Sequence, residues 1–180
     1  MMTEISLNVL DVSENSTRAG ASLVTILVTA DTSADKLTIV IADNGCGMTP
    51  EQAAHVTDPF FTTRTTRKVG LGIPFFKYAA ESTGGSFHIE SEPGKGTTVT
   101  AVFGLSHIDR MPLGDMNATI HNLIVYHPDT DFLYTYTYND ASFTLDTREM
   151  REILGEIPLN TPEVSAYIME YLKENQQETE

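Results

Sequence analysis

Three groups of residues in this sequence combine types and spacings that can do chemistry. The first is Asp43, which ends the apolar run Ile39-Val40-Ile41-Ala42 and is followed by Gly45, Gly47 and Met48. A strand pins the acid, and the glycines let the chain turn tightly and let a flat ligand approach. The same Asp43-Asn44-Gly45 also spells a hairpin turn, and taken alone it reads as readily that way. The second group is Asn8, Asp11, Asn15 and Arg18, spaced along one helical stripe. A wet helix face has this spacing. Two carboxamides and a carboxylate one turn apart are nonetheless poor helix formers, and they suit an octahedral Mg²⁺ that keeps some of its waters. The third group is Arg64, Arg67 and Lys68, followed at once by Gly70-Leu71-Gly72-Ile73-Pro74. Glycines opening a helix leave backbone N–H groups and the positive end of the dipole free for a phosphate. A plain loop-to-helix junction has the same letters.

The whole-chain numbers restrict what these groups can serve. With 180 residues the chain can bury one core and carry a small appendage. A formal net charge of −14 argues against a general nucleic-acid binder, which needs a basic footprint. No apolar run approaches the ~18 residues of a membrane span. Met1 to Ile5 carries an acid and no basic segment, so no signal peptide is expected. The single cysteine, Cys46, permits no disulfide framework within one chain, and a reducing, cytoplasmic setting is expected.

The elements that must position the three groups follow from periodicity. Residues 3–19 read as a helix whose inner face is Ile5, Val9, Val12, Ser16 and Ala19, closed by Gly20. Residues 23–29 and 36–42 are β-branched strands joined by a polar turn, and the second strand delivers Asp43. Thr49, Pro50 and Gln52 mark the start of a short helix to about Val56. Residues 57–69 have no period and are read as a lid anchored at one end by Phe60 and Phe61. A helix opened by Gly70 and Gly72 runs to about Thr83, with Phe76, Ala79, Ala80 and Thr83 inward. Strands at 86–91 and 97–103 follow. This order predicts an α+β sandwich, one sheet with helices on one face. Residues 105–180 change character: a helix over 112–126, an aromatic strand at 132–138 with a return strand at 142–145, and two further helices. The predicted division is 1–104 and 105–180. The second part is expected to pack on the sheet edge or to supply a homodimer contact.

Five segments in this order resemble the GHKL ATPases, the gyrase, heat-shock chaperone, histidine kinase and mismatch-repair group that shares the Bergerat ATP-binding fold. Residues 11–21 resemble the asparagine box, and Ala19-Gly20-Ala21 is similar to its mismatch-repair form. Residues 43–48 are similar to the first glycine box and Asp58-Pro59-Phe60-Phe61-Thr62-Thr63 to the phenylalanine box of histidine kinases. Gly70-Leu71-Gly72 resembles the second glycine box. Gly94-Lys95-Gly96-Thr97-Thr98 resembles the closing strand. The resemblance covers about residues 3–104. It implies a two-layer sandwich with a mixed, mostly antiparallel sheet, plus a small C-terminal α/β extension, and it implies ATP and Mg²⁺. By the same resemblance Asp43 accepts from the adenine amino group, with Thr97 helping through water. Gly45, Gly47 and Met48 line the base, Asn15 coordinates Mg²⁺, and Gly70, Leu71 and Gly72 meet the phosphates. Arg64, Arg67 or Lys68 neutralises phosphate charge.

Two departures shape the expected function. The family's general-base glutamate is replaced by Asp11, one methylene shorter, and Glu14 should point elsewhere on the helix. None of the five histidines (55, 88, 107, 121, 127) sits in a His-Glu helical hairpin, so a phosphoryl acceptor is expected on another protein. The resulting expectation is a Mg-ATP-dependent, histidine-kinase-like protein that phosphorylates a partner in trans. The alternative is an ATP-gated interaction module, or a slow ATPase without kinase activity.

Overall fold

The computed structural model describes residues 3–58, 60 and 72–180. Helix α1 (Ile5–Arg18) is followed by strands β1 (Leu23–Asp31) and β2 (Lys36–Asp43) and the short helix α2 (Pro50–His55). Helix α3 (Gly72–Glu81), strands β3 (Ser86–Glu92) and β4 (Gly96–Gly104) and helix α4 (Met116–Tyr126) come next. The chain closes with β5 (Asp131–Tyr138), β6 (Ala141–Asp146), α5 (Thr147–Leu154) and α6 (Pro162–Thr179). These bounds fall within a few residues of the expected ones, which is the normal scatter at element ends.

The six strands form one sheet in the order β3-β4-β2-β1-β5-β6. Every pairing is antiparallel except β1 with β5, so the sheet is mixed and mostly antiparallel. Residues after 104 therefore add strands to the same sheet. In β1, every second residue from Val24 to Ala30 is buried, as are Leu37, Ile39 and Ile41 in β2 and Val99, Ala101 and Phe103 in β4. This period of two fixes one core face. The aromatic stripe of β5 extends that face, with Phe132, Tyr134 and Tyr136 all buried. Burial of this kind is core packing.

Helices α1, α3, α4 and α6 pack together with the sheet. Ile5, Val9 and Val12 of α1 are almost fully buried and share one core with Phe76 and Ala80 of α3, Ile120 and Leu123 of α4, and Ile168 and Leu172 of α6. Burying such a side chain contributes about 1.5–3 kcal/mol each. Helix α2 begins with the expected reciprocal cap: Thr49 accepts from the Gln52 N–H, and the Gln52 side chain accepts from the Thr49 N–H. One expectation fails here. Phe60 is 95% exposed and does not anchor the segment to the core of the described residues. The Asp58 carboxylate takes the Phe60 N–H at 2.8 Å in a tight turn that leaves the ring outside. Phe61, its expected companion, lies outside the described residues. No helix among the described residues is long and apolar enough to cross a membrane.

Candidate nucleotide site

The period of two in β2 runs Leu37, Ile39, Ile41, Asp43, so Asp43 sits on the core face at the strand's end. Register places Asp43 opposite Thr97 of β4, and Thr97 opposite Ser91 of β3. One rung inward the same positions are Ile41, Val99 and Ile89. The ladder thus ends in a polar rung, Asp43-Thr97-Ser91, on an otherwise apolar face. Ser91 and Thr97 are joined through their hydroxyls at 2.7 Å.

Both oxygens of Asp43 are held. Ser16 of α1 donates its hydroxyl to Oδ2 at 2.6 Å, and the Gly45 N–H donates to Oδ1 at 2.9 Å. A carboxylate has about four acceptor positions, so it keeps capacity for a further donor. Ser16 was read from the sequence only as part of the helix's inner face. Its signal is that it is a hydroxyl where Ile5, Val9 and Val12 are aliphatic. Ser16→Ala is expected to weaken ATP binding by about tenfold, near the low end for a hydrogen bond to a charged group. Isothermal titration measures this, and an unchanged affinity would show that Gly45 alone orients Asp43.

The loop after Asp43 is pinned on both sides. The Cys46 N–H donates to the Ala19 carbonyl at 2.9 Å, and the Asn44 side chain accepts from the N–H groups of Ser22 and Leu23. On the other side the Gly94 N–H donates to the Cys46 carbonyl at 2.7 Å, and the Met48 N–H donates to Ser91 Oγ at 2.8 Å. Gly47 has φ +70°, and a Cβ there would lie 2.0 Å from the Glu92 carbonyl oxygen. Only glycine fits both the backbone angle and the gap.

The polar stripe of α1 splits into three environments. Asn8 is fully buried, and its carboxamide has no hydrogen-bond partner among the described residues. Asp11 lies against the first residue of α3: a Cβ on Gly72 would sit 2.2 Å from its Oδ2. The Asp11 carboxylate is therefore at a helix N-terminus, where the dipole favours negative charge. Asn15 Oδ1 accepts from the Arg18 guanidinium. Arg18 was counted on the stripe and not among the site residues. Glu14 turns away, as its helical position implies, and its carboxylate meets His127 Nε2 at 2.9 Å beyond the end of α4. The lid residues Arg64, Arg67 and Lys68, and Gly70 and Leu71 with them, lie outside the described residues.

Among the described residues no three His, Cys, Asp or Glu side chains gather as a metal site. Mg²⁺ in a nucleotide complex takes only one or two protein oxygens and the rest of its shell from phosphates and water, so the lack of such a cluster does not bear on it. Asn15 offers such an oxygen.

A mixed sheet whose core face ends in an acid and hydroxyls, with a glycine-opened helix across from them, defines an α+β nucleotide-binding fold of the Bergerat type. The comparisons agree. The family model described as "Histidine kinase-, DNA gyrase B-, and HSP90-like ATPase" matches residues 1–107. The chain belongs to this ATPase family. It is an ATP-binding, histidine-kinase-like domain. A putative sensor protein of Shewanella frigidimarina is 39% identical over 70 residues, covering 38% of this chain and 11% of that protein. Sensor protein SrrB of Staphylococcus aureus is 33% identical over 102 residues, covering 54% of this chain and 17% of that protein. The chain thus spans only a small part of the length of these relatives. A crystal structure of the N-terminal domain of a DNA repair protein aligns with a TM-score of 0.56 at 14% identity, covering 81% of this chain and 52% of that one. At that identity the likeness is one of fold alone.

Proposed function

We propose that the protein binds Mg-ATP and passes the γ-phosphoryl group to a separate protein. The observation that carries the nucleotide part of this reading is the doubly held Asp43 on its polar rung, an acceptor fixed at the end of a strand, while the histidine-kinase-like boxes and the histidines' lack of a His-Glu helical hairpin favour an acceptor on another protein. In this reading Asp43 takes the adenine amino group, Thr97 assists through water, and Gly45, Gly47 and Met48 form the wall along the base. Gly70, Leu71 and Gly72 meet the phosphates through backbone N–H groups. Arg64, Arg67 or Lys68 offsets the charge that develops on transfer. Mg²⁺, when held by Asn15, supplies the neutralisation of the β- and γ-phosphate oxygens. The bond from the γ-phosphorus to its bridging oxygen breaks as a bond to the acceptor atom forms. ADP leaves, and Asp11 takes the acceptor's proton.

The nucleotide-binding unit in this reading is 1–104, and 105–180 is the extension that serves a protein partner. The single cysteine, free and exposed, supports a reducing cytoplasmic setting. Asn15→Ala is expected to make ATP affinity independent of Mg²⁺. Titrations with and without EDTA check this, and an equal gain from the metal in the variant would place the ligand elsewhere.

A second reading is favoured by Asp11 and Glu14. The carboxylate at the base position is short and sits against Gly72, and the neighbouring glutamate is engaged by His127. An ATP-gated module or slow ATPase would look like this. Incubation with γ-labelled ATP and the proteins that co-purify with the chain separates the two. Label on a co-purified protein supports the kinase; free phosphate alone, or no turnover, supports the second reading.

A further inference from the structure

We propose that the groove between α5 and α6 docks a cationic amphipathic helix of a partner protein. The inference does not draw on the nucleotide site. The groove has a volume of about 320 Å³ and is lined by Met150, Ile153, Leu154, Glu163, Val164 and Tyr167. Met150, Ile153 and Leu154 follow the i, i+3, i+4 spacing of one apolar helix face, which normally turns inward. Here Ile153 is 85% exposed, and Thr147 is the only residue of α5 that is buried. Tyr167 on the opposite wall is 58% exposed, and Ile157 just beyond α5 is 52% exposed.

The far wall is built rather than loose. The Tyr167 ring stacks on Tyr171 at 6.3 Å, Tyr171 meets Phe143 edge-on at 6.4 Å, and the Tyr171 hydroxyl donates to the Thr144 carbonyl at 2.9 Å. An exposed apolar seam with fixed aromatic walls is the usual receptor for a helix that presents anchors every three or four residues.

Charge selects the occupant. Glu163 lines the groove, Glu149 adjoins the lining residue Met150 on α5, and both are exposed. The arginines of α5 are already engaged: Arg148 with Asp146 at 2.9 Å and Arg151 with Asp131 at 2.7 Å. Among the described residues neither glutamate is in an ion pair. An apolar seam inside a negative rim complements a helix with an apolar stripe flanked by Lys or Arg. A second copy brings the same acidic rim on a chain of net charge −14, and an anionic membrane surface is repelled for the same reason.

The test uses the full chain and a fluorescein-labelled synthetic helix of about 18 residues, roughly five turns, with leucines on one stripe and lysines elsewhere. Its counterpart carries glutamates in place of the lysines. The lysine peptide is expected to raise anisotropy saturably. Its affinity should fall at least about tenfold with Ile153→Asp, and similarly with Glu149→Gln combined with Glu163→Gln. Both sets change exposed side chains, so the variants should keep the thermal midpoint of the parent. The glutamate peptide should not bind. The proposal is overturned if the lysine peptide does not bind, if Ile153→Asp leaves its affinity unchanged, or if the glutamate peptide binds equally well. It is also overturned if the chain dimerises, or binds anionic vesicles, in a manner that Ile153→Asp abolishes.

Discussion

Asp43→Asn is expected to lower ATP affinity by more than about a hundredfold, or roughly 2.8 kcal/mol, with little change in thermal stability. Asp43 accepts from Ser16 at Oδ2 and from Gly45 at Oδ1. An asparagine must replace one of these acceptors with an NH₂ group. It cannot turn that group toward the Gly45 N–H, because two donors would meet. It can turn it toward Ser16, whose hydroxyl rotates and accepts. The fold therefore tolerates the change. The second hydrogen of the new amide then faces the site as a donor, where the adenine amino group is also a donor. A polar site matched to one pattern rejects its mismatch strongly, because the buried group is left unpaired. Calorimetric titration of ATP into the variant measures the loss, and an affinity within about threefold of the parent would sink the adenine assignment.

Gly47→Ala is expected to cost about 3 kcal/mol of stability and to abolish nucleotide binding in the fraction that still folds. Two causes add. The left-handed backbone at φ +70° costs an alanine about 1–2 kcal/mol. The added Cβ would lie 2.0 Å from the Glu92 carbonyl, which is backbone and cannot swing aside. The loop must then separate from the β3–β4 turn and give up the bonds from Gly94 to Cys46 and from Met48 to Ser91. Gly94→Ala is the control. Gly94 has φ +80°, but a Cβ there meets nothing within 4 Å. It should carry only the backbone term. For a chain of this size 1 kcal/mol shifts the midpoint by about 2–4 °C. Differential scanning calorimetry should therefore find Gly47→Ala melting well below Gly94→Ala. Equal midpoints would show that the turn adjusts and that the close approach is not required.

The parts of the fold legible in the sequence are those written locally. The β-branched runs that became β1 and β2, the Thr49–Gln52 cap, and the alternation that brings Asp43 to the core face all lie within a dozen residues of chain. Ser16 and Ser91 were harder. A serine on an inner helix face or in a strand reads as a small filler, and only the register that puts Ser91 beside Thr97 and Ser16 beside Asp43 gives them a task. The parallel pairing of β1 with β5 left no local signature, because its partners are remote in sequence and the intervening chain looks like a separate unit. The aromatic alternation of residues 132–138 announced a strand without naming its neighbour. Phe60 misled because an aromatic pair suggests an anchor, while a local turn from Asp58 decided where the ring went.

That parallel pairing has a kinetic consequence. β1 stands near the middle of the sheet, yet one of its two edges is completed only by residues that come late in the chain. Thr32 just after β1 and Asn139 just after β5 are joined by hydrogen bonds although 107 residues separate them. Closing a loop of that length costs about 4 kcal/mol of chain entropy before the pairing returns anything. Pairings of such long range are slow to form. During synthesis the strands that carry Asp43 and Thr97 emerge first, and β1 waits with its backbone edge from Leu23 to Ala30 unpaired until β5 appears. An unpaired apolar edge is a template for pairing with other chains. The last third of the sequence thus acts as a shield on assembly, and the time the ribosome takes to reach it sets how long the nascent sheet is vulnerable.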